Sequence, residues 1–554
     1  MAKQKQFCSV CNKVLTLKSE TVIGSQKLLS YDCGHSFLVD PSAVSEDITY
    51  ETIVSASGFR PFPYQIKTAQ HIEESGFRDG VFHEQGLGKT ICSLLPVIVH
   101  PDKLLPLAVL CKAGLVRQWQ VQCKEWLGSL ARTQVINTGF TPAFPPDGDG
   151  LDLLDEGAAS ETGPNCYIIS MDSLKSNKFI RTGIPWAQYI IIDECQAIKN
   201  TDSKRTIAVQ NFVRGKQHVV ALSGTPFKNN ASEYFPILNI LNPALFHDRE
   251  QFLRYEVNSY YSGRISKFGG LRNPEKFKEK TKSFIIRYTR DEVLPDLPKI
   301  NRQYHFVDVA DAIKDEYEKE LDHFSELFDS SENTSVGTNH ELRASLFKLW
   351  HITGIAKIPA VADEAIDFLI ENPEKKLVIF KHHNDVGDIL ELRINAAIAA
   401  NKELSETTNP CLRLETDNPK KDEYSELSTK IHWISRDPKD RVVIASTRYG
   451  GEGWNLQTCA DMIMAERQFT PMDEEQCEGR FSRPGATAAA VFNQIFSAVG
   501  TVDDFFYSLV EKKRNWFHEA MSGKKSDSPA VYQQSMMQEL ADALASFGRK
   551  KFKR

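Results

Sequence analysis

Residues 83–90 read HEQGLGKT, a short segment whose residue types suit phosphate binding. Gly86 and Gly88 would let the backbone approach phosphate oxygens, and the N-terminus of a following helix would attract the anion. Lys89 could reach the β- and γ-phosphates of a nucleotide, and the Thr90 hydroxyl could hold Mg²⁺. Because so short a match also arises by chance, this interpretation needs partners elsewhere in the chain.

The expected partners are two carboxylates, Asp193 and Glu194, which end the apolar run YIII about a hundred residues after the loop. The carboxyl edge of a parallel sheet is where such folds bind ligands, and a loop that follows another strand of that sheet reaches the same edge. There Asp193 would share the metal with Thr90, and Glu194 would orient or deprotonate a water. An acidic pair after a strand is more often a solvated strand end, so the combination with the loop carries the prediction.

The surrounding chain predicts the α/β class, because short apolar runs alternate with longer helical patterns. Its 554 residues, 41% hydrophobic and 25% charged, suffice for several cores. The candidate strands are GVFHE, PLAVLC, CYIIS, YIIIDE and HVVALS in the first half, and KLVIF, RVVIAS, DMIMAE and VFNQIF in the second.

The predicted domains are a zinc-ribbon-like module (1–45), a first lobe (50–300), a helical linker or protrusion (301–360), a second lobe (361–520), and a helix with a basic tail (521–554).

The order of these motifs resembles the Swi/Snf-type ATPases of helicase superfamily two, from about residue 58 to residue 513. The motifs that carry the resemblance are RPFPYQIKTAQ, HEQGLGKT, LAVLCKAGLVRQW, IISMDSL, DECQAIKN, ALSGTPFKNN, FIIRYTRDEVLPDLP, KKLVIFKHHNDV, STRYGGEGWNLQTCAD and EEQCEGRFSRPG. Two further segments, AKIPAVADEAIDFLI and GTVDDFFYSLVEKK, look most like the annealing-helicase branch, whose members rewind and remodel branched DNA. The resemblance implies two RecA-like lobes that use ATP and Mg²⁺.

By motif position, the resemblance also implies roles for individual residues. The ATP-binding candidates are Gln65, Gly86, Leu87, Gly88, Lys89, Thr90, Gln196 and Gly453. The catalytic candidates are Lys89, Asp193, Glu194, Arg480 and Arg483. The nucleic-acid candidates are Lys112, Ser170, Thr225, Lys381, His382, Thr447 and Arg448.

Arg480 and Arg483 are three residues apart, so on a helix they would share a face and could point across the cleft between the lobes. A phosphoryl-transfer site needs cationic charge on the γ-phosphate. If both come from the second lobe, hydrolysis requires the lobes to close. The alternative is a solvated helical face.

The sequence departs from the family pattern at four positions. His83 replaces an acidic residue, so phosphate binding by the loop depends on Gly86, Gly88, Lys89 and Thr90. Gln196 stands where many members have histidine, and its amide could still relay between the γ-phosphate and the segment from Ser223 to Thr225. Ser482 and Pro484 also depart from the pattern. The changes at Gln196, Ser482 and Pro484 concern the coupling of hydrolysis to movement rather than hydrolysis itself.

Trp119 and Trp454 could stack on bases, but a core tryptophan is the favoured interpretation of each.

Cys8, Cys11, Cys33 and His35 form two close pairs about twenty residues apart, the arrangement of a small structural zinc ribbon. The alternative is reduced cysteines with a chance histidine. A segment of about forty residues has little hydrophobic core of its own and would need a cross-link such as a metal ion to stabilise it. The ribbon would dock DNA or a partner protein.

We therefore expect an ATP-dependent motor that moves on or remodels duplex or branched DNA. A strand-separating DNA or RNA helicase is the alternative, and a non-enzymatic ATP-dependent clamp is disfavoured because Glu194, Arg480 and Arg483 are all present.

The net charge of −6 restricts nucleic-acid binding to local patches. No apolar run could span a membrane, and the scattered cysteines suit a reducing compartment. We expect a monomer in the cytoplasm, in a prokaryotic or viral setting, with the nucleus as the alternative.

Overall fold

A computed structural model describes residues 17–23, 26–31, 36–39, 48–136, 163–175, 184–227, 230–262, 265–330, 340–414, 437–447, 456, 458–468, 471–483, 485–506, 510–511 and 544. At the N-terminus, an antiparallel sheet is formed by β1 (Leu17–Ile23), β2 (Gln26–Tyr31) and β3 (Ser36–Val39). Several predicted functional residues lie outside the described ranges, namely Cys8, Cys11, Cys33, His35, Arg448 and Gly453, together with Trp454.

The first large sheet is entirely parallel, in the order β12-β4-β9-β8-β5-β7-β6. Its first six strands are β4 (Arg78–Val81), β5 (Leu107–Cys111), β6 (Thr133–Ile136), β7 (Cys166–Ser170), β8 (Tyr189–Ile192) and β9 (His218–Leu222). A hairpin of β10 (Val257–Ser262) and β11 (Ile265–Leu271) precedes the edge strand β12 (Ile285–Ile286). Val109 and Leu110 are buried on opposite faces, in two separate cores, because helices cover both sides of the sheet.

The second large sheet is also parallel, in the order β13-β18-β17-β14-β16-β15. Its strands are β13 (Lys299–Val307), β14 (Leu377–Lys381), β15 (Leu412–Leu414), β16 (Val442–Ser446), β17 (Asp461–Met464) and β18 (Ala490–Ala498). The α/β class with parallel sheets is therefore confirmed. Residues 299–307 form a strand that was not predicted from the sequence. The sequence analysis assigns a helical linker or protrusion from residue 301, so the first part of that assignment was wrong.

Helices flank both sheets, and we call each sheet with its flanking helices a lobe. Those of the first lobe are Pro63–Glu74, Lys89–Val99, Pro101–Leu104, Val116–Leu127, Lys204–Val213, Phe235–Leu241, Arg249–Tyr255, Pro274–Thr281 and Arg290–Val293. Those of the second are Asp311–Ser330, His340–Glu371, Asn384–Ala400, Lys402–Thr407 and Pro471–Glu478. Within the described ranges, no helix is long and apolar enough to cross a membrane.

Candidate active site

The loop 82–88 connects β4 to the helix that begins at Lys89, so the helix N-terminus faces the carboxyl edge of the first sheet. Gly86 and Gly88 have φ angles of 86° and 68°, in the left-handed region that favours glycine. A β-carbon at Gly88 would also lie 2.5 Å from Nε2 of Gln65. Both glycines are thus required by backbone geometry, and the loop has the form of a phosphate cradle.

Lys89 lies at the start of that helix, and its Nζ donates hydrogen bonds to the carbonyls of His83 (3.0 Å) and Glu84 (3.1 Å). Burial lowers the pKa of Lys89 to about 8, although the charges of Glu194 and Asp193 oppose the shift. The ammonium is therefore close to both carboxylates and to the loop backbone, as a phosphate-binding lysine should be.

Gln65 packs against the back of the loop. Its Nε2 donates to the Leu87 carbonyl at 3.3 Å, and the Tyr64 hydroxyl donates to the same carbonyl at 3.0 Å. The Gln65 Oε1 accepts from the amide of Phe62 at 2.9 Å. Gln65 thus contacts a loop residue, Leu87, that the sequence assigned to the same ATP-binding set.

His83 fills the position where the sequence departs from its family, and it is fully buried. Its Nδ1 accepts from the Tyr288 amide at 3.0 Å, and its Nε2 lies 2.8 Å from Oγ1 of Thr68, which donates to the Tyr64 carbonyl. Burial and the charge of Lys89 hold the pKa of His83 well below its ordinary value. A neutral ring that carries its proton on Nε2 satisfies all these contacts, so His83 fastens the loop to two neighbouring segments.

Asp193 and Glu194 follow β8, and their charges act on Lys89 at the end of the loop. Nε1 of Trp119 donates to Oδ2 of Asp193 at 2.7 Å, and the Glu194 amide donates to Oδ1 at 2.9 Å. Burial and the charge of Glu194 raise the pKa of Asp193 to about 7, although the Trp119 hydrogen bond opposes the shift. Trp119 is 1% exposed, so the favoured interpretation as a core residue is confirmed, but no feature of the sequence indicates its contact with Asp193.

Glu194 has a φ of 49°, a strained conformation for a residue other than glycine and one that recurs at active sites. Burial would raise its pKa, but the charges of Lys112, Lys89 and Arg480 and a hydrogen bond from Gln196 hold the pKa below the ordinary value. Glu194 is therefore ionised at neutral pH, as a residue that accepts a proton from water must be.

A relay of hydrogen bonds leads from Glu194 toward the end of β9. Nε2 of Gln196 donates to Oε2 of Glu194, and Oε1 of Gln196 accepts from Oγ of Ser223 at 2.7 Å. That Oγ in turn accepts from the Thr225 amide at 2.9 Å. The amide side chain of Gln196 thus uses both its donor and its acceptor and reaches Ser223 as expected, while its link to the γ-phosphate stays a prediction.

Arg480 and Arg483 approach this site from the second lobe, but not from a helix. The helix Pro471–Glu478 ends before them, so the expectation of a shared helical face was wrong. The charge of Arg480 nevertheless acts on Glu194, and Cγ of Arg483 is 3.6 Å from the position of a β-carbon at Gly86. The turn therefore places Arg483 beside the nucleotide loop and Arg480 within electrostatic reach of Glu194.

The described nucleic-acid candidates are largely covered in this arrangement. Ser170, Thr225, Lys381 and Thr447 are buried, and Lys112 and His382 are half-buried. Nζ of Lys381 donates to Oδ1 of Asn384 at 3.0 Å. These residues lie at strand ends, and their assignment to DNA stays a prediction.

Comparison with known proteins identifies the family. A model described as the SNF2-related domain matches residues 69–352, slightly more than half of the chain. The chain belongs to the SNF2-related family. The resemblance to Swi/Snf-type ATPases found in the sequence is thereby confirmed.

Two relatives illustrate the similarity. The chain is 26% identical over 484 residues to the Caenorhabditis elegans homolog of "SWI/SNF-related matrix-associated actin-dependent regulator of chromatin subfamily A-like protein 1", covering 85% of this chain and 63% of that protein. It is 23% identical over 464 residues to the mouse "DNA annealing helicase and endonuclease ZRANB3", covering 82% of this chain and 40% of that protein. The chain thus spans less than two thirds of either relative. A solved Sulfolobus solfataricus SWI2/SNF2 ATPase core in complex with dsDNA aligns at 21% identity with a TM-score of 0.36, over 84% of this chain and 93% of that chain.

Proposed function

We propose that the chain is an ATP-driven motor that moves on or remodels duplex or branched DNA, built from two RecA-like lobes. The observation that carries the proposal is the position of two second-lobe arginines: Arg483 lies beside the first-lobe phosphate loop, and the charge of Arg480 acts on Glu194. Because the site is completed only when the lobes meet, each hydrolysis event is linked to lobe motion. The annealing helicase and the chromatin regulator among the relatives support DNA as the track.

Each residue of the proposed site would have a distinct role in ATP binding or hydrolysis. Lys89 and the loop amides would bind the β- and γ-phosphates, Glu194 would accept a proton from the attacking water, and the two arginines would stabilise charge on the γ-phosphate. The Thr90 hydroxyl and the Asp193 carboxylate are oxygen donors that suit Mg²⁺, which usually takes one or two carboxylates and keeps several waters. When bound, Mg²⁺ would neutralise phosphate charge. Within the described ranges, no group of three or more His, Cys, Asp or Glu residues is placed to hold a metal.

The decisive experiment measures ATP turnover against duplex, forked and single-stranded DNA and against RNA, with Lys89→Ala as the inactive control. We expect stimulation by duplex or forked DNA that weakens with added salt, because phosphate contacts release counterions. Stimulation by single strands alone would instead favour a strand-separating helicase. No turnover with any polymer would reject the motor.

We further propose a structural zinc ion held by Cys8, Cys11, Cys33 and His35. The short antiparallel sheet β1–β3 supports the proposal, since Cys33 and His35 lie between β2 and β3 in the sequence. The purified protein should contain about one Zn²⁺, and Cys8→Ser with Cys11→Ser should lose it. Zinc-free protein of unchanged stability would contradict this proposal and leave the motor untouched.

A further inference from the structure

Arg290 joins the phosphate loop to the second lobe. Its backbone amide donates to Oε2 of Glu84 at 3.0 Å, and its Nε donates to the Gln85 carbonyl at 2.7 Å. It is therefore attached to two consecutive residues of the loop that precede Gly86.

The other end of the guanidinium reaches across the cleft. Nη2 of Arg290 lies 2.9 Å from the position of a β-carbon at Gly479 and 3.6 Å from that at Gly86. The group thus lies between the phosphate loop and the turn that carries Arg480 and Arg483. The Gly479 carbonyl also accepts from Nε of Arg483 at 3.0 Å, so Gly479 lies against Arg290 and also binds Arg483.

Charges from both lobes surround this contact. Glu84 of the first lobe and Glu475 and Glu478 of the second attract Arg290, while Arg302 repels it. Glu478 is itself held by Arg302 through two hydrogen bonds of 2.7 and 2.6 Å, so the second-lobe face is a fixed arrangement of charge. The positive charge of Arg290 also acts on Lys89 and on Arg483, which places these three cations in one cleft.

We propose that Arg290 is a positioning residue that couples docking of the second lobe to the shape of the phosphate loop. This inference rests on the proposed ATP-driven function and adds a residue that the sequence left without a role. Arginine suits the task because its rigid planar fork lets Nε bind the first lobe while Nη2 lies against Gly479 of the second. Lysine, with one ammonium group, cannot make both contacts at once.

Arg290→Ala should lower the kcat for DNA-stimulated ATP hydrolysis by roughly tenfold to a hundredfold, since about 1 Å of misplacement in a catalytic site has that effect. The KM for ATP should change less than about threefold, and Arg290→Lys should not restore kcat. Gly479→Ala should cause a similar loss, because its methyl group would displace Nη2, and the double variant should be little worse than either single one. Arg249→Ala is the matched control, since Arg249 is an exposed arginine of the same lobe.

A second measurement is independent of hydrolysis. Dyes attached through unnatural amino acids at the exposed positions Tyr255 and Leu392 would report the distance between the lobes by energy transfer. A non-hydrolysable ATP analogue should change the transfer in the wild-type protein and in Arg249→Ala but not in Arg290→Ala. If the lobes of the wild-type protein close on the analogue but the protein shows no turnover of ATP, the motor proposal fails. The distance measurement then still decides the role of Arg290 in closure. Unchanged closure in Arg290→Ala, multiplying effects of Arg290→Ala and Gly479→Ala, or a loss confined to ATP affinity would overturn the inference.

Discussion

The indole nitrogen of Trp119 donates a 2.7 Å hydrogen bond to Oδ2 of Asp193, the carboxylate that we assign to Mg²⁺. Oδ1 of the same group accepts from the Glu194 amide, so both carboxylate oxygens are oriented by donors from the first lobe. Such partners fix the direction in which a carboxylate offers its lone pairs to a metal. We therefore propose Trp119 as a positioning residue for the carboxylate that would hold Mg²⁺.

Trp119→Phe should weaken metal use without unfolding the lobe, because phenylalanine keeps an aromatic ring in the core but lacks the N–H donor. A hydrogen bond to a charged group is worth about 1.5–3 kcal/mol, which corresponds to roughly tenfold or more in Mn²⁺ affinity of the ADP complex. Trp126→Phe, on the same helix and in the same core, is the control. Equal Mn²⁺ affinities in the two variants would show that the Trp119 contact is not functional.

Lys89→Ala and Glu194→Gln should separate binding from hydrolysis. The first change removes the cation at the loop, so nucleotide binding should be lost. The second keeps the shape of the side chain but cannot accept a proton, so ATP should bind nearly as in the wild-type protein while turnover stops. Fluorescent-nucleotide titration with single-turnover kinetics checks both results, and normal turnover by Glu194→Gln would remove this residue from the mechanism.

The first-lobe candidates for the nucleotide site lie together in the fold, and the sequence could indicate this because each candidate is adjacent to the element that positions it. The glycines of HEQGLGKT and the acids after YIII are adjacent to the elements that position them, and apolar runs identified most strands of both sheets. Strand β13 was missed because it is an edge strand with alternating burial and many polar residues, so it has no continuous apolar run.

The contacts that the sequence could not supply join distant residues. Trp119 meets Asp193 and Arg290 meets Gly479 only after the chain folds, and neither pair has a spacing that indicates contact. Arg480 and Arg483 were found by motif, but their helical placement failed because the helix ends before Gly479.

Gln196→Ala and Ser223→Ala test the relay behind Glu194. Each change breaks the same chain of hydrogen bonds, so each should reduce DNA stimulation of turnover toward the basal rate, and the double variant should be no worse. A coupling energy of roughly 0.5–3 kcal/mol is expected for residues in one network. Ser405→Ala, on a helix of the second lobe, is the control. Additive losses would show that the two residues act independently.

The stability of the first lobe should depend on His71. Its Nδ1 is 2.6 Å from Oδ2 of the buried Asp79, and its Nε2 is 2.9 Å from the Lys282 carbonyl. Burial lowers its pKa, but the hydrogen bond and charge of Asp79 outweigh this and raise the pKa to about 9. Because the folded pKa exceeds the unfolded one, the stabilisation is fully present below about pH 6.5 and is lost as pH rises through about 9.

His71→Gln should therefore remove this pH dependence, which we expect to amount to about 1–3 kcal/mol between pH 6 and pH 9.5. Urea titrations of both proteins at several pH values measure it. His247→Gln, at an exposed histidine, is the control. A wild-type stability that stays constant or increases over this range would contradict the assignment.

Lys357 and Asp503 form a fully buried ion pair at 2.6 Å, between two segments that first suggested the annealing-helicase branch. Asp503 also accepts from the Ala498 amide at 3.0 Å and from Oγ1 of Thr353 at 3.3 Å. Lys357→Met should destabilise the second lobe by about 3–5 kcal/mol, because it leaves an unpaired charge in the core. Adding Asp503→Asn should recover part of this loss, since the neutral amide still offers an acceptor.

Lys282→Met is the matched control, because Lys282 pairs with Glu279 on the surface and such pairs contribute about 0–1 kcal/mol. The midpoints of urea unfolding for the four proteins provide the comparison. If Lys357→Met is no more damaging than Lys282→Met, the pair does not stabilise this part of the fold. If the double variant is as unstable as Lys357→Met alone, the cost comes from lost packing of the lysine stem rather than from the charge left on Asp503.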